Sequence, residues 1–419
     1  MTTNIKSLVK SIGKKAKEAA LKLSTIEGEI KNKALIKTSE LIHLYASELI
    51  KENNKDIKIA KDKKLPSAII DRLTINQSRI DDMIASINKI VEMDDPVGKI
   101  ISKWTRPNGL QIKKISVPIG VIGIIYESRP NVTVDASAIT IKSGNSVILR
   151  GGKDSFHTSI RLFNIVNEGF AQSGLPENAV QMIPISDRLA VDEMLKLDSY
   201  IDIIIPRGGK SLIQKVNEKS LIPTIKHLDG ICHVYIDGDA DLETAKKVVF
   251  NSKMRRPGIC GAAETLLIDK KLSNQVLTIL NKLKSANCEI RGDHFISQLD
   301  DSFKLASEDD WDTEYLDKII SVKIVDGVQE AINHINKHSS NHTESIITES
   351  TKTFQTFYKN IDSAIILQNA STQFADGGEF GFGAEIGIST NKLHVRGPVG
   401  AEHLTSYKYV VQGNGQIRP

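Results

Sequence analysis

At 419 residues, with 40% apolar and 25% charged side chains, the chain has ordinary globular composition and room for two or three domains with their own cores. Its formal charge of +4 is the small difference between 55 basic and 51 acidic residues spread along the sequence, and only 5% of residues are aromatic. That balance argues against a nucleic-acid footprint or a base-stacking platform, and no apolar run approaches the roughly 20 residues that cross a bilayer.

Residues 1–100 read as helices, rich in Lys, Glu and Ala, with apolar positions three and four apart. The lysine-rich start lacks arginine and carries Glu18 and Glu27, so it reads as an amphipathic helix and not a transit peptide. From Trp104 the texture changes. The pair Asn108-Gly109 marks a hairpin turn, and VIGIIY that follows reads as a buried parallel strand. Strands (SVILRGG, AVQMIPI, IDIIIP, GICHVYIDG) then alternate with helices (SIRLFNIVNEGFAQSG, LAVDEMLKL, SLIQKVNEKS), and a second such series begins near Asp229. Repeated βα units predict an α/β protein with two doubly wound parallel sheets and a small β extension. The expected division is 1–100 with 117–228, then 229–390, with 101–116 and 391–419 as the extension. Such an extension needs partner strands, which points to a homo-oligomer.

Three cysteines, Cys232, Cys260 and Cys288, stand far apart without CxxC spacing, so neither a disulfide framework nor a zinc motif follows, and a reducing, cytoplasmic setting fits. No metal ligand set is expected. Cys260, in RRPGICGAAET, is surrounded by glycine and alanine, which leaves room for another molecule to reach its sulfur. Arg255, Arg256 and a helix starting at Gly261 would each favour the thiolate. VILRGGK and IIIPRGGKS each run from a strand into a Gly-Gly turn and a helix, where backbone amides favour an anion. Neither is a GxGxxG or Walker fingerprint.

Taken together, VPIGVIGIIYESRPNVTVDASAITIKSGNSVILRGGK, DIIIPRGGKSLI, RRPGICGAAETLLID and ASTQFADGGEFGFGAEIGIST resemble the aldehyde dehydrogenase superfamily nearly end to end, closest to its branch that reduces an acyl phosphate. The resemblance implies Cys260 as nucleophile, and Asn131 as the amide that holds the oxyanion together with the Cys260 N–H. It implies Glu314 on the nicotinamide ribose, Arg150 on the adenosine ribose, and Gly208 and Gly209 beneath the cofactor phosphates. Lys153 stands where a ribose-binding carboxylate occurs in NAD-dependent relatives; a lysine attracts a 2′-phosphate, so NADPH is the expected cofactor. His227 replaces the water-activating glutamate, which a phosphate-exchanging enzyme does not need. The implied reaction is reduction of L-glutamyl 5-phosphate to L-glutamate 5-semialdehyde in proline biosynthesis. Arg129, Arg256 and Arg396 are candidates for the anionic substrate, and a separate glutamate 5-kinase is the expected metabolic partner. In this branch asparagine usually follows the cysteine, where this chain has Gly261. The rival readings are an NAD(P)-dependent dehydrogenase oxidising a small aldehyde to an acid, and a non-catalytic scaffold.

Overall fold

The computed structural model describes residues 2–418. Its contacts divide it into two units. The first holds the chain through Lys226 together with Gly381–Gly387 and the segment from Val399; the second holds His227–Phe380 and Ile388–Pro398. The chain therefore returns to the first unit twice near its end, which strand periodicity alone does not signal.

The first unit opens with five helices, Thr2–Leu23, Gly28–Leu44, Ala46–Asp62, Ser67–Leu73 and Gln77–Glu92. Val9, Ile12, Ala16 and Ala20 form one buried stripe of the first helix and join a core with Val121, Ile125 and Ile148, while Lys10, Lys14 and Lys15 face solvent. Strands β1 (Ile100–Thr105) and β2 (Gln111–Pro118) are the expected hairpin, with Gly109 at φ +85° in its turn. Then come β3 (Val121–Tyr126), β4 (Ser146–Gly151), β5 (Val180–Met182) and β6 (Ile203–Arg207), a parallel sheet in the order β5-β4-β3-β6. Every residue of β3 is buried, which explains its unbroken apolar run. Strands β3 to β5 step outward in one direction and β6 joins the other side of β3, so the winding reverses between β3 and β6. Ligands of doubly wound sheets bind at the carboxyl ends of such a reversal.

The second unit is built on seven parallel strands: β7 (Cys232–Ile236), β8 (Ala263–Asp269), β9 (Glu289–Gly292), β10 (Lys304–Leu305), β11 (Ile319–Val325), β12 (Thr343–Ile347) and β13 (Ile365–Gln368). Their order is β10-β9-β11-β8-β7-β12-β13. β7, β8 and β12 are buried along their whole length, and Val234, Leu266, Ile268, Ile279 and Leu280 lie in one hydrophobic core beside them. Cys288 is buried in the short loop immediately before β9. A short antiparallel pair, β14 (Ile388–Ser389) and β15 (Gly397–Pro398), follows. The last strand, β16 (Thr405–Gln412), pairs antiparallel with β2 in the first unit, giving the three-stranded sheet β1-β2-β16. Among the described residues no helix is long and apolar enough to cross a membrane.

The second unit also buries a cluster of histidines. The His334 ring lies 4.6 Å from that of His338, 5.7 Å from that of His233 and 5.3 Å from Trp311. Burial, with His233 and His338 nearby, lowers the His334 pKa from 6.5 to about 2. Its folded value is depressed, so below pH 6.5 the unfolded chain takes up a proton that the folded chain refuses. Stability from this residue is complete above that pH and falls by up to about 1.4 kcal/mol per pH unit as the solution is acidified toward 2. Urea unfolding at pH 7.5, 6 and 5 should show this slope, and His334→Gln should flatten it by about one proton's worth.

Candidate active site

Cys260 sits in the turn between the helix Leu242–Met254 and β8. The helix start expected at Gly261 is not there: the chain enters β8 at Ala263, where AETLLID is buried along its whole length and pairs as sheet with β7 and β11. A helix dipole therefore contributes nothing at this sulfur, and Arg255 and Arg256 are both exposed. The register pairs Cys232 with Ala263 and His233 with Glu344, which sets the amino ends of β12, β7 and β8 side by side. Residues from three distant parts of the sequence thereby converge on the Cys260 turn.

Backbone surrounds the cysteine closely. A Cβ on Gly230 would fall 2.2 Å from the Cys260 carbonyl oxygen and 2.6 Å from its Cα, so glycine alone fits there. The Cys232 thiol donates to that same carbonyl at 3.1 Å. The Gly230 N–H donates to Glu314 Oε1 at 2.8 Å, which ties the proposed cofactor-ribose residue to the backbone packed on the nucleophile. Gly261 has no positive φ; a Cβ there would meet the Thr372 carbonyl oxygen at 3.2 Å, so an asparagine would require that segment to yield by a few tenths of an ångström. The three cysteines differ in setting. Cys260 is half-buried, whereas burial pushes the Cys232 thiol well above its ordinary value and the Cys288 thiol up to about 12.

Two imidazoles reach the sulfur. The Cys260 thiol and one ring nitrogen each from His227 and His342 all lie within 4.8 Å of one another. His227 Nδ1 is 2.7 Å from the Ile388 carbonyl oxygen, and a carbonyl only accepts, so Nδ1 carries the proton and the neutral ring keeps its lone pair on Nε2. His342 is fully buried, with Nδ1 2.9 Å from Thr343 Oγ1. Its segment, KHSSNHTES, carries no motif, and only the placement of β12 beside β7 brings it to the thiol.

A buried ion pair fixes the loop that carries Glu314. Lys253 Nζ donates to Glu264 Oε2 at 2.6 Å, with both side chains out of solvent. Glu264 Oε1 accepts from the Leu316 N–H at 3.4 Å, and the Lys253 ammonium lies over the Tyr315 ring. Burial pushes the Glu264 carboxyl above its ordinary value against the pull of Lys253. Sequence reasoning missed this pair, since a lysine inside a helix ordinarily reads as surface.

In the first unit the switch between β3 and β6 gathers the other candidates. Gly208 and Gly209 follow β6, and a Cβ on Gly208 would strike Glu127 Oε2 at 2.5 Å, whereas Gly209 has open space around it. The Gly209 N–H already donates to Glu127 Oε2 at 3.2 Å, so a carboxylate stands at this turn. Arg150, at the end of β4, is almost wholly buried and donates to the carbonyls of Gly151, Ser186 and Asp187. Its Nε and that of Arg207 are buried donors without a hydrogen-bond partner. Lys153 is exposed at the start of a single 3₁₀ turn capped by Gly152. Two buried guanidinium donors and an exposed lysine near the switch point suit a phosphorylated dinucleotide, whereas the Gly209 amide is already taken by the Glu127 carboxylate. Asn131 stands at the head of the helix Val132–Lys142, where its Nδ2 donates to Asp135 Oδ2 at 2.9 Å. Burial pushes Asp135 up to about 6. Arg129 lies in the loop just before Asn131. Of the other substrate candidates, Arg396 is engaged by Asp362 at 2.7 Å, and Arg256 stays exposed on the Cys260 turn.

The aldehyde dehydrogenase family model matches residues 4–292. Over 419 residues the chain is 52% identical to a gamma-glutamyl phosphate reductase of Paramagnetospirillum magneticum, covering 100% of this chain and 99% of that one. It is 51% identical to a gamma-glutamyl phosphate reductase of Brucella suis, covering 100% of both. The crystal structure of gamma-glutamyl phosphate reductase from Thermotoga maritima matches the fold with a TM-score of 0.95 at 42% identity, covering 98% of this chain and 100% of that one.

Proposed function

The chain belongs to the aldehyde dehydrogenase family, as an oxidoreductase acting on an aldehyde or acyl phosphate, and on that premise we propose that it reduces L-glutamyl 5-phosphate with NADPH to L-glutamate 5-semialdehyde and phosphate, the second step of proline synthesis from glutamate. The observation that carries this reading is the Cys260 turn: a half-buried thiol among bare backbone, flanked by imidazoles.

The Cys260 sulfur attacks the acyl carbon, forming a C–S bond as the C–O bond to phosphate breaks, and leaves a glutamyl thioester. Charge that develops on the acyl oxygen is met by the Cys260 N–H and by Asn131, whose amide Asp135 holds in one orientation. Asp135 does this best as a carboxylate, so substrate turnover should weaken as pH falls through about 6. Arg129 and Arg256 are assigned to the substrate's anionic groups; Arg396 already neutralises Asp362 and stays structural. Arg150, Lys153, Gly208, Gly209 and Glu314 would hold the cofactor, with Lys153 favouring a 2′-phosphate. Bound NADPH supplies the hydride that turns the acyl group into an aldehyde. His227, held on the Ile388 carbonyl, is not a carboxylate base for water, and that supports exchange of the acyl group with phosphate over hydrolysis.

The sheet β1-β2-β16 supports a homo-oligomer. Trp104, Tyr407, Tyr409 and Val411 on it are each 40% exposed or more, and its outer strands have no further partner among the described residues. A separate glutamate 5-kinase supplies the acyl phosphate, and the setting is cytoplasmic.

Incubating the protein with glutamate 5-semialdehyde and NADP⁺ in phosphate-free buffer, quenching and digesting it tests the thioester. A glutamyl adduct on the peptide carrying Cys260 is the expected result. An adduct on Cys232 or Cys288, or none while NADPH is being formed, would refute the assignment.

A further inference from the structure

The ligand atoms of Cys260, His227 and His342 lie within 4.8 Å of one another, though 33 and 82 residues of chain separate the histidines from the cysteine. A thiolate and two neutral imidazoles are the donors that Zn²⁺ and similar cations prefer. Around a tetrahedral zinc ion, with bonds of about 2.0–2.3 Å, donor atoms stand roughly 3.3–3.8 Å apart. The present spacing therefore closes to a metal site with shifts of about 1 Å, within reach of a cysteine in a turn lined by glycine and alanine.

The shell around these groups fits as well. Metal-binding histidines commonly donate the second ring nitrogen to a carbonyl, which fixes the tautomer and aims the lone pair at the metal. His227 does this through Nδ1 to the Ile388 carbonyl at 2.7 Å. The His342 ring is fully buried and meets the His227 ring edge-on at 5.4 Å between centroids, so the two imidazoles hold each other in place beside the thiol. Three protein ligands leave a fourth tetrahedral position for water, the pattern of exchangeable and not of closed structural zinc sites.

We propose that Cys260, His227 and His342 form a reversible binding site for Zn²⁺ or a similar thiophilic divalent cation, which caps the nucleophile while it is bound. Binding replaces the thiol proton, released to solvent, with a metal–sulfur bond, and chelation restores the free thiol. The site itself follows from the geometry; its inhibitory consequence rests on Cys260 being the nucleophile.

Cobalt titration of the full-length protein, previously treated with a chelator, tests the site without any turnover. Co²⁺ should bind at about one equivalent per chain with a near-ultraviolet thiolate-to-cobalt charge-transfer band. That band should vanish in Cys260→Ser and persist in Cys232→Ser. His227→Gln or His342→Gln should weaken cobalt binding by about 10- to 100-fold, with far-ultraviolet circular dichroism confirming the fold. Bound Zn²⁺ should slow alkylation of Cys260 by iodoacetamide about tenfold or more, reversed by chelator. No thiolate band, a band that survives Cys260→Ser, or one lost in Cys232→Ser would overturn the proposal. Because these readouts need neither glutamyl phosphate nor NADPH, they stand or fall separately from the proposed reaction.

Discussion

Replacing Cys260 with alanine should remove the reaction outright, lowering turnover by roughly 10⁴-fold or more. The expectation follows from the setting of the three thiols. Cys260 alone is half-buried; burial pushes both Cys232 and Cys288 up and away from thiolate character, so neither can replace it. Cys232 already donates to the Cys260 carbonyl, which uses its proton in holding the turn. Cys232→Ser should therefore cost far less, since a hydroxyl can make the same bond. Steady-state assays of the two variants side by side decide the matter, and comparable losses in both would mean that the turn's integrity, and not the Cys260 sulfur, limits activity.

The largest stability effect is expected at Lys253. Its ammonium and the Glu264 carboxyl are both excluded from water, and replacing one partner leaves the other buried without its counter-charge. Such a break costs about 3–5 kcal/mol. Lys253→Met keeps most of the side-chain volume, so the cost is chiefly electrostatic. The loss should be largest near pH 8 and shrink toward pH 5, where the orphaned carboxyl takes up a proton. Adding Glu264→Gln should restore much of the stability, because an amide can still accept from the Leu316 N–H. Urea denaturation of the single and double variants across this pH range checks the prediction. Equal stability of Lys253→Met and the parent at pH 8 would show the pair to be dispensable.

Much of the fold is legible in the sequence because buried parallel strands announce themselves. VIGIIY and the VIL at the centre of SVILRG are apolar on both faces, as strands covered by helices must be, and each lies in a strand. Asn108-Gly109 marks its hairpin for an equally local reason, since glycine there adopts a positive φ. The helix expected at Gly261 failed because small residues after a cysteine suit a tight approach of backbone as well as a helix start, and only the seven-stranded sheet decides between them. His342 and the Lys253–Glu264 pair were illegible for other reasons. His342 reaches the thiol through strand adjacency, and the order β8-β7-β12 is a property of long crossovers that no local pattern encodes. Lys253 and Glu264, by contrast, are only 11 residues apart and were missed because a lysine in a polar helix reads as solvent-facing. Arg396 reads as a substrate cation from charge alone; its partner Asp362 is 34 residues away.

The phosphate requirement of the reverse reaction tests the central claim most directly. With purified protein, glutamate 5-semialdehyde and NADP⁺, NADPH should accumulate over many turnovers only when inorganic phosphate is present to take the acyl group from Cys260. Sustained NADPH formation without phosphate would mean that water takes the acyl group, and would make the enzyme a hydrolytic aldehyde dehydrogenase with His227 as its base.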